Sequence, residues 1–134
     1  MTLVDSNILI DILGGDPRWA PSSVAALADR AQRGPIAIND VIYAELSAGF
    51  QRQERLDQEI ETIGLKIERL SKAALFLAGQ TFRRCRAAGG TRNNVLADFF
   101  IGAQASVERW PILTRDDRRY KTYFPDVRLF GLKP

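Results

Sequence analysis

The chain has 134 residues, a net charge of +3, 46% hydrophobic and 26% charged residues, and no histidine. These values suit one globular domain able to bury a core, residues 1–134, while the missing histidine excludes imidazole acid–base catalysis, Ser–His triads and His-ligated zinc. The lone cysteine, Cys85, excludes an intrachain disulfide, points to a reducing compartment, and reads as a passive residue on a helix surface.

The opening MTLVDSNILIDIL has no basic n-region and carries two aspartates, so it does not read as a signal peptide. No apolar run approaches the ~18 residues that span a bilayer, and a cytoplasmic location with no membrane partner is expected. TLVD (2–5) reads as a strand and SNILIDIL as the helix after it. The Gly/Pro-rich stretch 14–22 reads as a loop, and 22–33 as an amphipathic helix ended by Gly34-Pro35. IAI (36–38) is a buried-type strand, and Asn39 or Asp40 caps the helix VIYAELSAGF. A polar helix covers 52–62, and LKIERL (65–70) alternates as a strand does. Ser71 caps a helix to about Ala87, closed by Gly89-Gly90. Asn94 opens VLADFFIGAQASVE, apolar nearly all round and hence buried. PILT (111–114) is a strand, DDRRYKTYF a short helix and VRLFG (127–131) a last strand. Strands alternating with helices imply an α/β sandwich on a parallel sheet, whose ligand site lies beyond the carboxyl ends of the strands.

Four acids fall in apolar surroundings: Asp5, Glu45, Asp98 and Asp116. Glu45 is too deep in its helix for a capping box, and its neighbours Val41, Ile42, Ala48 and Gly49 include no base, so it is expected on a buried face. Asp98 likewise has only Asn94, Val95, Ile101 and Gly102 at helical spacing. Left unpaired there, a carboxylate costs several kcal/mol or titrates to neutral. Gly102 and Ala105, on the same side, are small enough to admit another element. Asp5 and Asp116 follow the first and fourth strands, where an aspartate also serves as a helix cap. Asp117 reads as a solvated or capping acid, and Asp11 as solvent-facing. Two carboxylates ~4 Å apart repel by roughly 4 kcal/mol at an effective dielectric near 20. A gathering of four therefore calls for a hard cation with oxygen ligands, Mg²⁺ or Mn²⁺, with Ser6, Asn7 and Thr114 supporting the ligands.

Fifteen of the 19 basic residues are arginine, a residue that holds phosphate bidentately and stacks on bases. Arg83, Arg84, Arg86 and Arg92 form one candidate RNA-binding patch. Arg118, Arg119, Tyr120 and Lys121 form another, with Tyr120 available for stacking.

VDSNILID, YAEL, LADFFIGAQA and LTRDDRRYKTYFPDVRL, in that order, resemble a PIN domain over nearly the whole chain. Within that superfamily the chain is similar to the VapC toxins of bacterial VapBC toxin–antitoxin pairs. The resemblance implies a three-layer α/β/α sandwich with a five-stranded parallel sheet ordered 3-2-1-4-5, and a Mg²⁺- or Mn²⁺-dependent endoribonuclease. It makes Asp5, Glu45, Asp98 and Asp116 the catalytic quartet. Asp5 and Asp98 would be direct metal ligands, with Glu45 and Asp116 bound directly or through water. Asp116 is preferred to Asp117 because it completes the Thr-x-Asp spacing. The resemblance also implies a homodimer and a VapB-type antitoxin partner, with the helices at 22–33 and 39–62 as contacts. A receiver-like Mg²⁺-binding module competes with this reading, but it needs a lysine beside the site, where Lys133 is poorly placed, and gives Glu45 and Asp98 no role. A PIN module that binds nucleic acid or protein without catalysis is the other alternative.

Overall fold

The computed structural model describes residues 1–89 and 95–132, so the expected patch residue Arg92, the cap Asn94 and the closing Gly90 lie outside the described residues. Five short strands form the sheet: β1 (Thr2–Val4), β2 (Ile36–Ile38), β3 (Lys66–Ile67), β4 (Ile112–Leu113) and β5 (Leu129–Phe130). All pair in parallel, in the order β3-β2-β1-β4-β5. Every residue of β1, β2 and β4 is buried. Strands covered on both faces need no polar alternation, which is why TLV, IAI and IL read as plain apolar runs.

Seven helices connect the strands: α1 (Ser6–Gly14), α2 (Ala20–Arg33), α3 (Asp40–Ser47), α4 (Gln53–Ile63), α5 (Lys72–Ala87), α6 (Val95–Glu108) and α7 (Arg118–Tyr123). Right-handed crossovers put the helices before β3 on one face and those after it on the other. Accordingly α1 packs on α2 and α3, while α5 lies along α6 and α6 meets α7. The result is the expected α/β/α sandwich. The order reverses between β1 and β4, which opens a crevice at their carboxyl ends.

Most elements lie where the sequence puts them, with ends that differ for local reasons. The α2 helix begins two residues early, because Asp16 Oδ1 accepts the backbone N–H groups of Arg18 and Trp19 and sets up the first turn ahead of Pro21. Asn39, rather than Asp40, caps α3 by accepting the Ile42 N–H at 2.9 Å. Ser71 caps α5 through the Ala74 N–H, as expected. The strand expected over 65–70 shrinks to two exposed residues at the sheet edge. There the buried Gln104 amide donates to the carbonyls of Glu68 and Arg69 and diverts the chain, while its oxygen accepts from Asn39 at 2.9 Å. Cys85, expected on the surface, is 3% exposed and belongs to the core beneath α5.

Gly102 meets its expectation of close approach. A Cβ there would lie 2.3 Å from the Phe124 ring, which is itself buried against Phe99. Gly102→Ala forces that ring to move in a filled core, and we expect a loss of roughly 1–3 kcal/mol in urea unfolding. A neutral result would show that Phe124 can relocate freely.

Candidate active site

Asp5 begins the site. Its N–H donates to the Leu113 carbonyl at 2.9 Å, so the end of β1 is hydrogen-bonded to the end of β4. The side chain is 4% exposed. Oδ2 accepts from Thr114 Oγ1 and from Tyr120 Oη, each at 2.9 Å. Thr114 can donate to Asp5 because its oxygen is already an acceptor for Asn7 Nδ2 and for the Asp116 N–H. Asn7 Oδ1 in turn accepts the Arg115 N–H. Asn7 and Thr114 thus tie the loop after β4 to the start of α1.

Glu45 reaches the site from α3, its Oε1 accepting from Ser6 Oγ at 3.0 Å. As a residue it is exposed, so it stands at the rim instead of on the buried face expected of it. Asp98 comes from the first turn of α6 and does have a cationic partner, one its helical neighbours could not reveal: Arg119 Nη1 donates at 2.6 Å. Asp116 lies in the loop before α7, exposed and held by Arg118 through two bonds of 3.1 Å. Asp98, Asp116, Arg118 and Arg119 line one cavity of about 280 Å³.

A family model for the PIN domain matches residues 2–125. The chain belongs to the PIN domain family. No curated protein matches the sequence significantly. Among solved structures the chain is similar to VapBC2 of Rickettsia felis bound to a promoter DNA fragment, with 20% identity, 98% of each chain covered and a TM-score of 0.76. It is similar to FitAcB of Neisseria gonorrhoeae, with 23% identity, 98% of this chain and 97% of that one covered, and a TM-score of 0.74. VapBC-1 of nontypeable Haemophilus influenzae follows, with 17% identity, 97% and 96% covered, and a TM-score of 0.73. At these identities the likeness is one of fold.

Within this PIN domain the electrostatics of the acids diverge. Burial pushes the Asp5 carboxyl above its ordinary range; the Thr114 and Tyr120 hydroxyls oppose that shift and the Asp98 charge adds to it. Glu45 is also raised, first by desolvation of its carboxylate and then by Asp5 and Asp98, with the Ser6 bond acting against them. Asp98 is raised because desolvation outweighs the Arg119 bond. Asp116 is lowered, chiefly by Arg118. Asp5, Glu45 and Asp98 therefore resist ionisation, chiefly through desolvation, with Asp98 adding to the shift of Asp5 and both adding to that of Glu45.

The donor set suits a hard divalent cation. Every donor is an oxygen, and one oxygen of the buried Asp5 is weakly engaged by side chains: its Oδ1 meets Ser6 Oγ at 3.5 Å, and the single proton of that hydroxyl points to Glu45 at the shorter distance. Among the described residues no three acids stand close enough to hold an ion as they are. In the present arrangement Arg119 and Arg118 neutralise Asp98 and Asp116 instead.

Other positions correct the sequence reading. Tyr120, expected to stack on bases, is 1% exposed and supports Asp5. Its fourth-residue spacing from Asp116 is the only trace of that role in the sequence. Asp11, expected to face solvent, is 2% exposed and receives Arg115 through two bonds of 2.9 Å and Ser23 Oγ at 3.1 Å. Asp117 meets Lys121 Nζ at 2.9 Å, one turn on. Arg83, Arg84 and Arg86 are exposed on α5.

Because the folded Asp5 carboxyl titrates above its unfolded value of 3.8, its ionisation costs stability. The cost is absent below the unfolded value and complete above the folded one. Asp5→Asn keeps an acceptor for Thr114 and Tyr120 but carries no charge. We expect it to raise the melting temperature of metal-free protein at pH 7, with the gain vanishing below about pH 4. An unchanged or lower melting temperature at pH 7 would show that the Asp5 charge is already compensated.

Proposed function

We propose that this PIN domain is a metal-dependent endoribonuclease, a hydrolase of RNA phosphodiester bonds that serves as the toxin of a type II toxin–antitoxin pair. The observation that carries this reading is the convergence of acids from separate elements on the crevice between β1 and β4, with a buried, charge-resisting Asp5 at its floor.

Asp5 and Asp98 would hold Mg²⁺ or Mn²⁺ directly, with Glu45 and Asp116 completing the site directly or through water. When bound, the cation lowers the pKa of a water and supplies charge to the pentacovalent phosphorus and the departing 3′ oxygen. The chain's own part is positional. Tyr120 Oη and Thr114 Oγ1 fix the Asp5 plane by occupying one oxygen and leaving the other toward the site. Burial pushes the Tyr120 hydroxyl well above its ordinary value, so it remains a donor. Ser6 spaces Glu45 from Asp5. Attack by water, not by the ribose 2′-hydroxyl, leaves 5′-phosphate and 3′-hydroxyl ends.

RNA would approach over the exposed arginines of α5 and the start of α7. The VapBC complexes among the structural neighbours support a VapB-type antitoxin as partner, and this chain would form a homodimer within one such assembly. Among the described residues no helix is long and apolar enough to cross a membrane. The reading takes the chain as one PIN domain acting in the cytoplasm.

Purified protein, freed of any antitoxin, is incubated with total RNA in Mg²⁺ or Mn²⁺, beside EDTA and beside Asp98→Asn. Discrete fragments with 5′-phosphate ends are expected. They should disappear with EDTA and fall about 100-fold or more in rate in the variant. Cyclic-phosphate ends would sink the mechanism. A folded protein that binds metal yet cleaves nothing would favour a PIN module that only binds.

A further inference from the structure

Three arginines meet acids around this loop, and two of them, Arg115 and Arg119, do so in contrasting ways. Arg115 forks onto Asp11 with both oxygens engaged, the Asp11 side chain 2% exposed and the guanidinium also 4.8 Å from the Trp19 ring centroid. There the acid is enclosed, while the Arg115 side chain is 31% exposed. Arg119 meets Asp98 through Nη1 alone, with the two side chains 42% and 25% exposed. It opens onto the cavity shared with Asp116. A planar fork with five donors that engages one of them on a solvent-reachable acid can exchange that acid for another oxyanion.

Resting on the nuclease reading above, we propose that Arg119 is an exchangeable counter-ion of the site. It holds Asp98 while the site lacks metal, yields Asp98 to the cation, and then takes the phosphate of the bound RNA. Three observations converge on it. The Asp98 carboxylate can serve a cation fully only when Arg119 Nη1, at 2.6 Å, withdraws. Arg119 lies one residue before Tyr120, whose buried ring is anchored to Asp5, so its backbone is held while its side chain is 42% exposed at the mouth. The guanidinium is the fork that matches a phosphate bidentately. Arg118 does not fit the same role, because it grips both oxygens of Asp116 bidentately through Nε and Nη2.

The proposal requires opposite effects of one substitution on two quantities. Mn²⁺ binding to the full-length protein is titrated by electron paramagnetic resonance, and RNA cleavage is measured at saturating Mn²⁺. Arg119→Gln should bind Mn²⁺ roughly fivefold more tightly, as expected when a partly exposed ion pair no longer competes. It should cleave about 100-fold more slowly in kcat/KM. Arg119→Lys retains the charge without the fork, so it should return metal affinity toward that of the native protein while cleavage stays low. In Asp98→Asn, adding Arg119→Gln should no longer change Mn²⁺ affinity. Unchanged or weaker Mn²⁺ binding in Arg119→Gln, while Asp98→Asn still weakens it, overturns the counter-ion role and leaves the nuclease site standing. Undiminished cleavage by Arg119→Gln overturns the phosphate contact. Asp98→Asn with native Mn²⁺ affinity would overturn the metal site itself.

Discussion

Like charges gathered in one crevice repel, and the rest of this molecule is arranged around that repulsion. Asp5, Glu45 and Asp98 arrive from the end of β1, the middle of α3 and the first turn of α6, and each is driven toward its neutral form. No local sequence motif could bring them together. It takes a parallel sheet whose order reverses between β1 and β4, so that a strand end from each half of the chain meets at one crevice. A site of this kind is unfavourable alone, and its free energy is recovered from whatever cation or cationic side chain enters it.

The scaffold tolerates that cost because the layers behind the acids are fully satisfied. Gln104 on α6 spans Asn39 and the carbonyls of Glu68 and Arg69, closing three separate segments with one buried amide. Gly102, two residues earlier, lets the Phe124 ring lie against the helix backbone. These contacts set the rotation of α6 and hence the direction of Asp98 one turn before. On the other flank, the Asp11–Arg115 pair and the Asn7 bond to the Arg115 N–H hold the residue directly before Asp116. The order of the loop that carries Asp116 is thus set by residues outside the acidic crevice.

Much of this was legible in the sequence, for definable reasons. Strands buried on both faces announce themselves as apolar runs, and helix starts announce themselves by Asn39 and Ser71. Glu45 and Asp98 stand out because no residue at helical spacing can neutralise them, and Asp5 and Asp116 because they follow the first and fourth strands. Helical spacing cannot show the partner of Asp98, since Arg119 lies 21 residues away, and the solvent-facing expectation for Asp11 fails because its partner Arg115 lies 104 residues away. Glu45 was read as buried because its neighbours are apolar, yet a helix that crosses the mouth of a crevice exposes residues its pattern assigns to the core. Tyr120 and Cys85 failed for a related reason: a surface reading drawn from basic neighbours says nothing about which way a single turn of helix faces. The strand over 65–70 was cut short by Gln104, a tertiary contact with no local signature.

The ion pairs of this chain therefore carry two kinds of information. In a pair such as Asp11–Arg115 the buried acid has exchanged hydration for fixed geometry, and removing the arginine would strand a buried charge. The pair acts as a strut, and its value lies in not moving. A partly exposed pair such as Asp98–Arg119 sits where water and other ions compete on nearly equal terms, so its contribution to stability is small. Its significance is instead that it offsets part of the desolvation of the acid without holding it permanently. Placed side by side around one loop, the strut fixes where the acids are and the loose pair leaves open what they bind. A site that must stay folded without its cation and still admit it needs both.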